Sequence, residues 1–193
     1  MKKNKRIISI VVYILFLVVS FGLPFFSFKG YFIISNTTSH LAAQGSPLAW
    51  VMDIIFVCLG IMAIIINYTT QVRYHQVIGG IFGLSLIMTA FFPYAPLVKD
   101  VPINLLFDEM HSVFASITGF SFTLLAVGHG IISREKQRVG GFIVATIAML
   151  VSIGMMMFPA FMGILQRIMF ISAFGWLFFY MKPTLQNQYP KKS

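Results

Sequence analysis

The sequence predicts an all-α membrane protein, a bundle of six transmembrane helices with both termini in the cytoplasm. Three observations predict it. Of 193 residues, 58% are hydrophobic and only 10% are charged, against roughly 25% charged in a soluble domain. Six apolar runs recur along the chain, and a run of about 20 residues crosses the ~30 Å hydrocarbon core as a helix. The basic residues collect at alternate helix ends, as topology signals do. Six spans at about 20 residues each leave no room for a separate soluble domain, so 1–193 reads as a single membrane domain. Abundant Phe (21) and Met (12) suit a softly packed, lipid-facing bundle.

The first span covers about 7–26, after the basic start MKKNKR. Its run exceeds a secretory h-region and no small-x-small cleavage site follows, so it reads as retained. Pro24 and the aromatics Phe25, Phe26 and Phe28 mark its far end. Lys29 to Ser46 read as a loop carrying the sequon Asn36-Thr37-Thr38. Gly45 and Ser46 suit a turn and helix cap, and Pro47 the first helical position.

Span two covers about 47–67, with Asp53 two turns inside. Span three covers about 77–92, and Gly79 and Gly83 share one face that permits close helix contact. After the loop from Pro93 to Phe107, span four covers about 110–132. Its small residues Ala115, Gly119 and Ala126 lie on the stripe of His111 and His129, so that face is expected to pack on other helices. Arg134 to Arg138 read as a basic turn. Spans five and six cover about 139–158 and 161–181, the last with Gln166 and Arg167 in its second turn. Aromatic-Pro ends on spans one, three and five, with Gly pairs opening spans three and five, read either as three related hairpins or as ordinary enrichment at membrane helix ends.

With the N-terminus inside, eleven basic residues fall on the cytoplasmic side: Lys2, Lys3, Lys5, Arg6, Arg73, Arg134, Lys136, Arg138, Lys182, Lys191 and Lys192. Only Lys29, Lys99 and Arg167, three residues, fall outside. The same distribution accounts for the net charge of +9 without nucleic acid, for which the chain has no basic face or motif. The single Cys58 lies mid-span, so it forms no internal disulfide and reads as a small buried hydrophobe. Walker, nucleophile-elbow and C-x-x-C motifs are absent from the sequence, as is an Arg-rich voltage-sensor helix.

The ionisable residues within spans fall toward the outer side. Asp53 begins span two, Asp108, Glu109 and His111 begin span four, and Arg167 begins span six. Ionisable groups at membrane depth are costly, so they pair, face a cavity or serve a site. With Ser46 they outline an outward polar pocket between spans two, four and six. Plain readings stand beside this one. Asp108 suits a helix cap, Glu109 the helix dipole, and Asp53 with Arg167 a structural salt bridge.

Three functional readings use these residues. His111, Asp53 and Glu109 would be the ligands of a divalent metal. Alternatively the carboxylates and His111 would relay protons while Arg167 holds an anionic or lipidic group. A haem between His40 and His111, or between His75 and His129, is disfavoured because His40 and His75 fall in loops.

The segments SHLAAQGSPLAWVMDIIF, FFP, His111-Ser-Val-Phe-Ala115 and GILQRIMFISAFGWLF occur in this order. Together, over roughly Ile7 to Met181, they resemble the prokaryotic six-span membrane family called domain of unknown function 998. The resemblance implies a six-span protein of the prokaryotic plasma membrane, and its pattern falls on Gly45, Ser46, Pro47, Pro93, His111, Gly163 and Arg167. The family often has an acidic residue soon after the Phe-Pro, where this chain has Tyr94 and Ala95. Zinc hydrolases of the alkaline-ceramidase type are a weaker comparison, since Ser46, Asp53 and His111 come without a His-x-x-x-His pair. The leading expectation is a membrane protein that binds or moves a small or lipidic ligand at the outward pocket. The alternatives are a metal-dependent membrane enzyme acting on lipid and a structural or accessory subunit. The bilayer is the expected partner, with no nucleic acid and no protein partner specified.

Overall fold

The computed structural model describes residues 2–182. Lys191 and Lys192, counted above in the charge bias, lie outside the described residues. Seven α-helices and no strand occur among the described residues: α1 (Lys2–Gly22), α2 (Thr38–Leu41), α3 (Ala49–Tyr68), α4 (Arg73–Phe91), α5 (Leu105–Ile132), α6 (Glu135–Met157) and α7 (Met162–Gly175). All but the short α2 belong to six segments long and apolar enough to span a membrane. The shortest segment has 19 residues and the longest, α5, has 28. At 1.5 Å per residue these reach about 28 and 42 Å, so α5 outruns the hydrocarbon core.

Consecutive helices pack side by side, α3 on α4, α4 on α5, α5 on α6 and α6 on α7, while α1 lies against α3 and α7. The outer faces are apolar and exposed, as at Val18, Phe120, Leu150 and Ile153, which fits a surface wetted by lipid. Inside, rings meet edge to face: Phe170 contacts both Phe16 and Phe56, and Phe122 contacts Trp176. The closest seam joins α3 and α4. A Cβ on Gly60 would sit 2.5 Å from the Gly83 carbonyl oxygen, and one on Gly79 would strike the Asn67 side chain. The stripe Gly79–Gly83 is therefore a helix contact, as expected of small residues four apart.

Four boundaries differ from the sequence expectation. Helix α4 starts at Arg73 rather than Val77, which places His75 in its first turn instead of a loop. Its opening residues are polar, so hydropathy hides them. Helix α5 starts at Leu105, capped by Asn104, whose side chain accepts from Phe107 N–H. Asp108 is thus in the first turn and is not the cap. The basic turn is largely helical, since α6 begins at Glu135. Helix α3 begins at Ala49 behind Leu48, which is left-handed (φ 55°), and the Ser46 hydroxyl donates instead to the His40 carbonyl at 3.1 Å.

The bundle has two distinct ends. One, the cap end, carries the long connections 23–48 and 92–104. The other, the tail end, carries the start of α1, the short α3–α4 and α5–α6 turns, and residues 176–182 beyond α7.

Candidate functional site

The cap end is built on Arg167, which is fully buried. Its Nε and Nη2 donate to the Ser20 carbonyl, both at 3.1 Å. Its Nη1 lies 2.9–3.0 Å from the carbonyls of Ile33, Asn36 and Gly163. Nη2 also donates to the Tyr31 hydroxyl at 2.7 Å. That hydroxyl passes its proton on toward the Asn36 and Thr37 carbonyls, at 3.0 and 2.8 Å. The guanidinium therefore clasps α1, α7 and the connection 23–48 that leads from α1 to α3, through dipoles alone. Its fork geometry allows this, since five N–H donors can be satisfied at once. Burial raises the Tyr31 phenol above its ordinary value, and the Arg167 charge opposes that rise. Gly163 is required beneath the clasp, because a Cβ there would run into the Ile33 and Asn36 carbonyls. Gln166 completes the joint, its side-chain oxygen accepting from Thr38 N–H and Oγ–H at 2.8 and 2.7 Å.

A second chain of contacts locks the two long connections together. The His40 Nδ1 accepts from Asn36 Nδ2 at 3.1 Å and from Thr37 N–H at 3.3 Å. The His40 ring faces Tyr94 (5.0 Å between centroids), and Tyr94 meets His111 edge-on (5.7 Å). His111 donates from Nδ1 to the Phe92 carbonyl at 2.8 Å and lies 3.3 Å from that of Thr89. Gln44 exchanges hydrogen bonds with Asn104, at 2.8 and 3.1 Å. Burial pushes the His40 imidazole down to about 4, with the His111 and Arg167 charges acting the same way.

The residues singled out in the sequence thus go to different places. Arg167 is surrounded by carbonyls and does not pair with Asp53. Asp108 accepts from Ala95 N–H at 2.8 Å, fastening the connection 92–104 to α5. Glu109 is exposed. Asp53 is half-buried in α3, and one of its carboxylate oxygens is buried with no hydrogen-bond partner. No three His, Cys, Asp or Glu side chains among the described residues could hold a metal ion, so Asp53, Glu109 and His111 are not gathered as ligands. Ala115 and Gly119 do not pack tightly on another helix; they line a gap of about 50 Å³ with Phe82, Met169 and Phe170.

The tail end holds two features, one weighed in the sequence only as a haem pair and one not read there. The first is a buried pair, His75 on α4 and His129 on α5, with His129 Nδ1 3.3 Å from His75 Nε2. His129 Nε2 lies 3.1 Å from Ser133 Oγ and 3.3 Å from Gln137 Oε1. Trp176 stands edge-on to His129 at 5.2 Å. The His75 Nδ1, the Trp176 indole N–H and the Asn67 side-chain oxygen are all buried without partners. One sequence signal pointed here: His129, Ser133 and Gln137 recur every four residues across the α5–α6 turn. The second feature is a groove of about 840 Å³ between α1 and α3, walled by Ile8, Met62, Ile65 and Ile66 and rimmed by Lys5, Thr69 and Gln76. Lys5 donates to the Thr69 hydroxyl across its mouth.

Comparison with known sequences bears on the whole chain. The family described as "Protein of unknown function (DUF998)" matches residues 10–181. The chain belongs to that family, and its fold is the multi-pass helical bundle described above. No curated protein and no solved structure matches it.

Proposed function

We propose that the protein is a non-enzymatic, lipid-binding protein of the prokaryotic plasma membrane, occupied from the side at its tail end, with that end at the cytoplasmic face. The observation that carries this reading is the groove between α1 and α3. Its wall is aliphatic and its rim holds an ammonium group. An ammonium has three donors; one of Lys5's reaches Thr69, and the others suit a phosphate. Lys2, Lys3 and Arg6 surround it in sequence, and basic residues beside an anionic leaflet attract its headgroups by about 1 kcal/mol each. An acyl chain along Ile8 and Ile65 with the headgroup at Lys5 satisfies both halves of the groove.

The test is native mass spectrometry of protein exchanged into mixed phosphatidylglycerol and phosphatidylcholine nanodiscs. The reading expects selective retention of phosphatidylglycerol, reduced several-fold by Lys5→Gln. Equal retention of both lipids, unchanged in Lys5→Gln, contradicts it.

One observation favours a second reading, in which a small ligand is taken at the cap end. The bare carboxylate oxygen of Asp53 is a buried acceptor at membrane depth, and such groups commonly serve a site. On this reading Asp53 receives a cationic or hydrogen-bond-donating ligand, and Asp53→Asn abolishes its binding.

A further inference from the structure

We propose that His75 and His129 form a proton-binding site that takes up one proton at His75 Nδ1. Hydrogen-bond polarity fixes the assignment. The Gln137 amide is oriented by the backbone: its Nε2 donates to the Tyr180 carbonyl, and its Oε1 accepts from Lys182 N–H, both at 3.1 Å. Oε1 is therefore what faces His129 Nε2, at 3.3 Å. We read Nε2 as the protonated nitrogen of His129, with the Gln137 oxygen and the Ser133 hydroxyl, 3.1 Å from the same nitrogen, both placed to accept from it. The Nδ1 of the neutral ring is then an acceptor, and the 3.3 Å contact requires His75 Nε2 to donate. His75 Nδ1 is left with a lone pair and, buried, no partner.

The chain of bonds thus runs in one direction, from His75 through His129 to Gln137, and stops at a single vacant acceptor. A proton arriving there converts His75 to imidazolium without breaking any bond in the chain, because Nε2 still donates to His129. An apolar residue at position 75 would leave no such vacancy.

The neighbouring titratable groups do not compete for the role. Tyr74 on α4 donates to the Leu124 carbonyl at 2.5 Å, and Tyr180 beyond α7 donates to the Lys136 carbonyl at 2.8 Å. Glu135 and Lys136 of α6 line the groove of about 730 Å³ on whose wall Trp176 stands, and Lys182 follows α7. Among the described residues, the hydrogen-bond partners of the two imidazoles are each other, Ser133 and Gln137, with no carboxylate among them. The site joins α4, α5 and α6 directly and touches Trp176 just beyond α7, so its charge state bears on three helices and that segment at once.

The test is ¹⁵N-histidine NMR of the full chain in bicelles, titrated from alkaline to mildly acidic pH, with His75→Phe to assign the signals. The proposal expects both rings to be Nε2–H tautomers at alkaline pH. On acidification one proton is taken up by the pair, and His75 Nδ1 is the nitrogen that changes from unprotonated to protonated. An Nδ1–H tautomer of His75 at alkaline pH overturns the proposal, as do two independent titrations or an absence of uptake before unfolding. The wild-type spectrum decides among these even where His75→Phe does not fold.

Discussion

The two ends of the bundle treat buried polar groups differently. At the cap end Arg167 has six hydrogen-bond contacts, and His40, His111 and Asp108 each find backbone partners. At the tail end His75, Trp176 and Asn67 each hold a buried atom without one. The difference teaches that charge at membrane depth is not by itself a mark of function. A buried cation whose donors are all taken is a construction element, because any ligand would first have to displace the carbonyls. A buried acceptor left open is where a binding event gains most. Asp53, and the Ser27 hydroxyl, are the exceptions at the cap end.

The contrast can be broken most directly at Arg167. Arg167→Gln should cost on the order of 4 kcal/mol, since several charged hydrogen bonds at roughly 1.5–3 kcal/mol each are lost and carbonyls are stripped of donors. Thermal unfolding in detergent reads this. Arg167→Lys should recover little of it, because one ammonium cannot reproduce the fork; wild-type stability in that variant would show that the charge alone suffices. Gly163→Ala should follow at about 1–3 kcal/mol, the cost of overpacking against backbone, in the same assay.

A pH effect on the cap should come next. Neutral His40 is favoured in the fold, with its imidazole at about 4, whereas a freed imidazole takes a proton near its ordinary 6.5. The opened state therefore binds more protons between those values, and stability of the cap falls as pH drops through that window. Hydrogen exchange of the connection 27–48 should accelerate on acidification across it, and His40→Gln should flatten the response. The smallest effect should be at the tail end: His75→Phe should change stability by less than about 1 kcal/mol, since the side chain makes one hydrogen bond and leaves one atom bare. A loss as large as that of Arg167→Gln would erase the distinction between the ends.

Much of this architecture was legible because the bilayer imposes it. Six apolar runs and the Gly79–Gly83 stripe follow from span length and close packing, which are local properties. The first turns of α4 and α6 were hidden because Arg73, Gln76, Glu135 and Arg138 are polar residues at membrane-interface helix ends. The clasp at Arg167 was not legible at all: its partners are mainly backbone carbonyls, and any residue has one. The direct contact of His75 with His129, which the sequence suggested only as a haem pair, was not legible either, because the two are 54 positions apart and meet only through the α4–α5 packing. Asp53, Glu109 and His111 suggested a ligand set by chemistry, yet helix rotation turns Glu109 outward and points His111 Nδ1 at the Phe92 carbonyl.

The central claim, that ligand binding belongs to the tail end and the cap end is construction, is tested most directly by lipid retention in two variants side by side. Lys5→Gln removes the ammonium from the tail groove, and Asp53→Asn neutralises the open carboxylate of the cap while keeping its shape. Native mass spectrometry from phosphatidylglycerol-containing nanodiscs should show bound anionic lipid falling several-fold in Lys5→Gln and unchanged in Asp53→Asn. Lipid lost from Asp53→Asn and kept by Lys5→Gln would contradict the account and place the site at the cap.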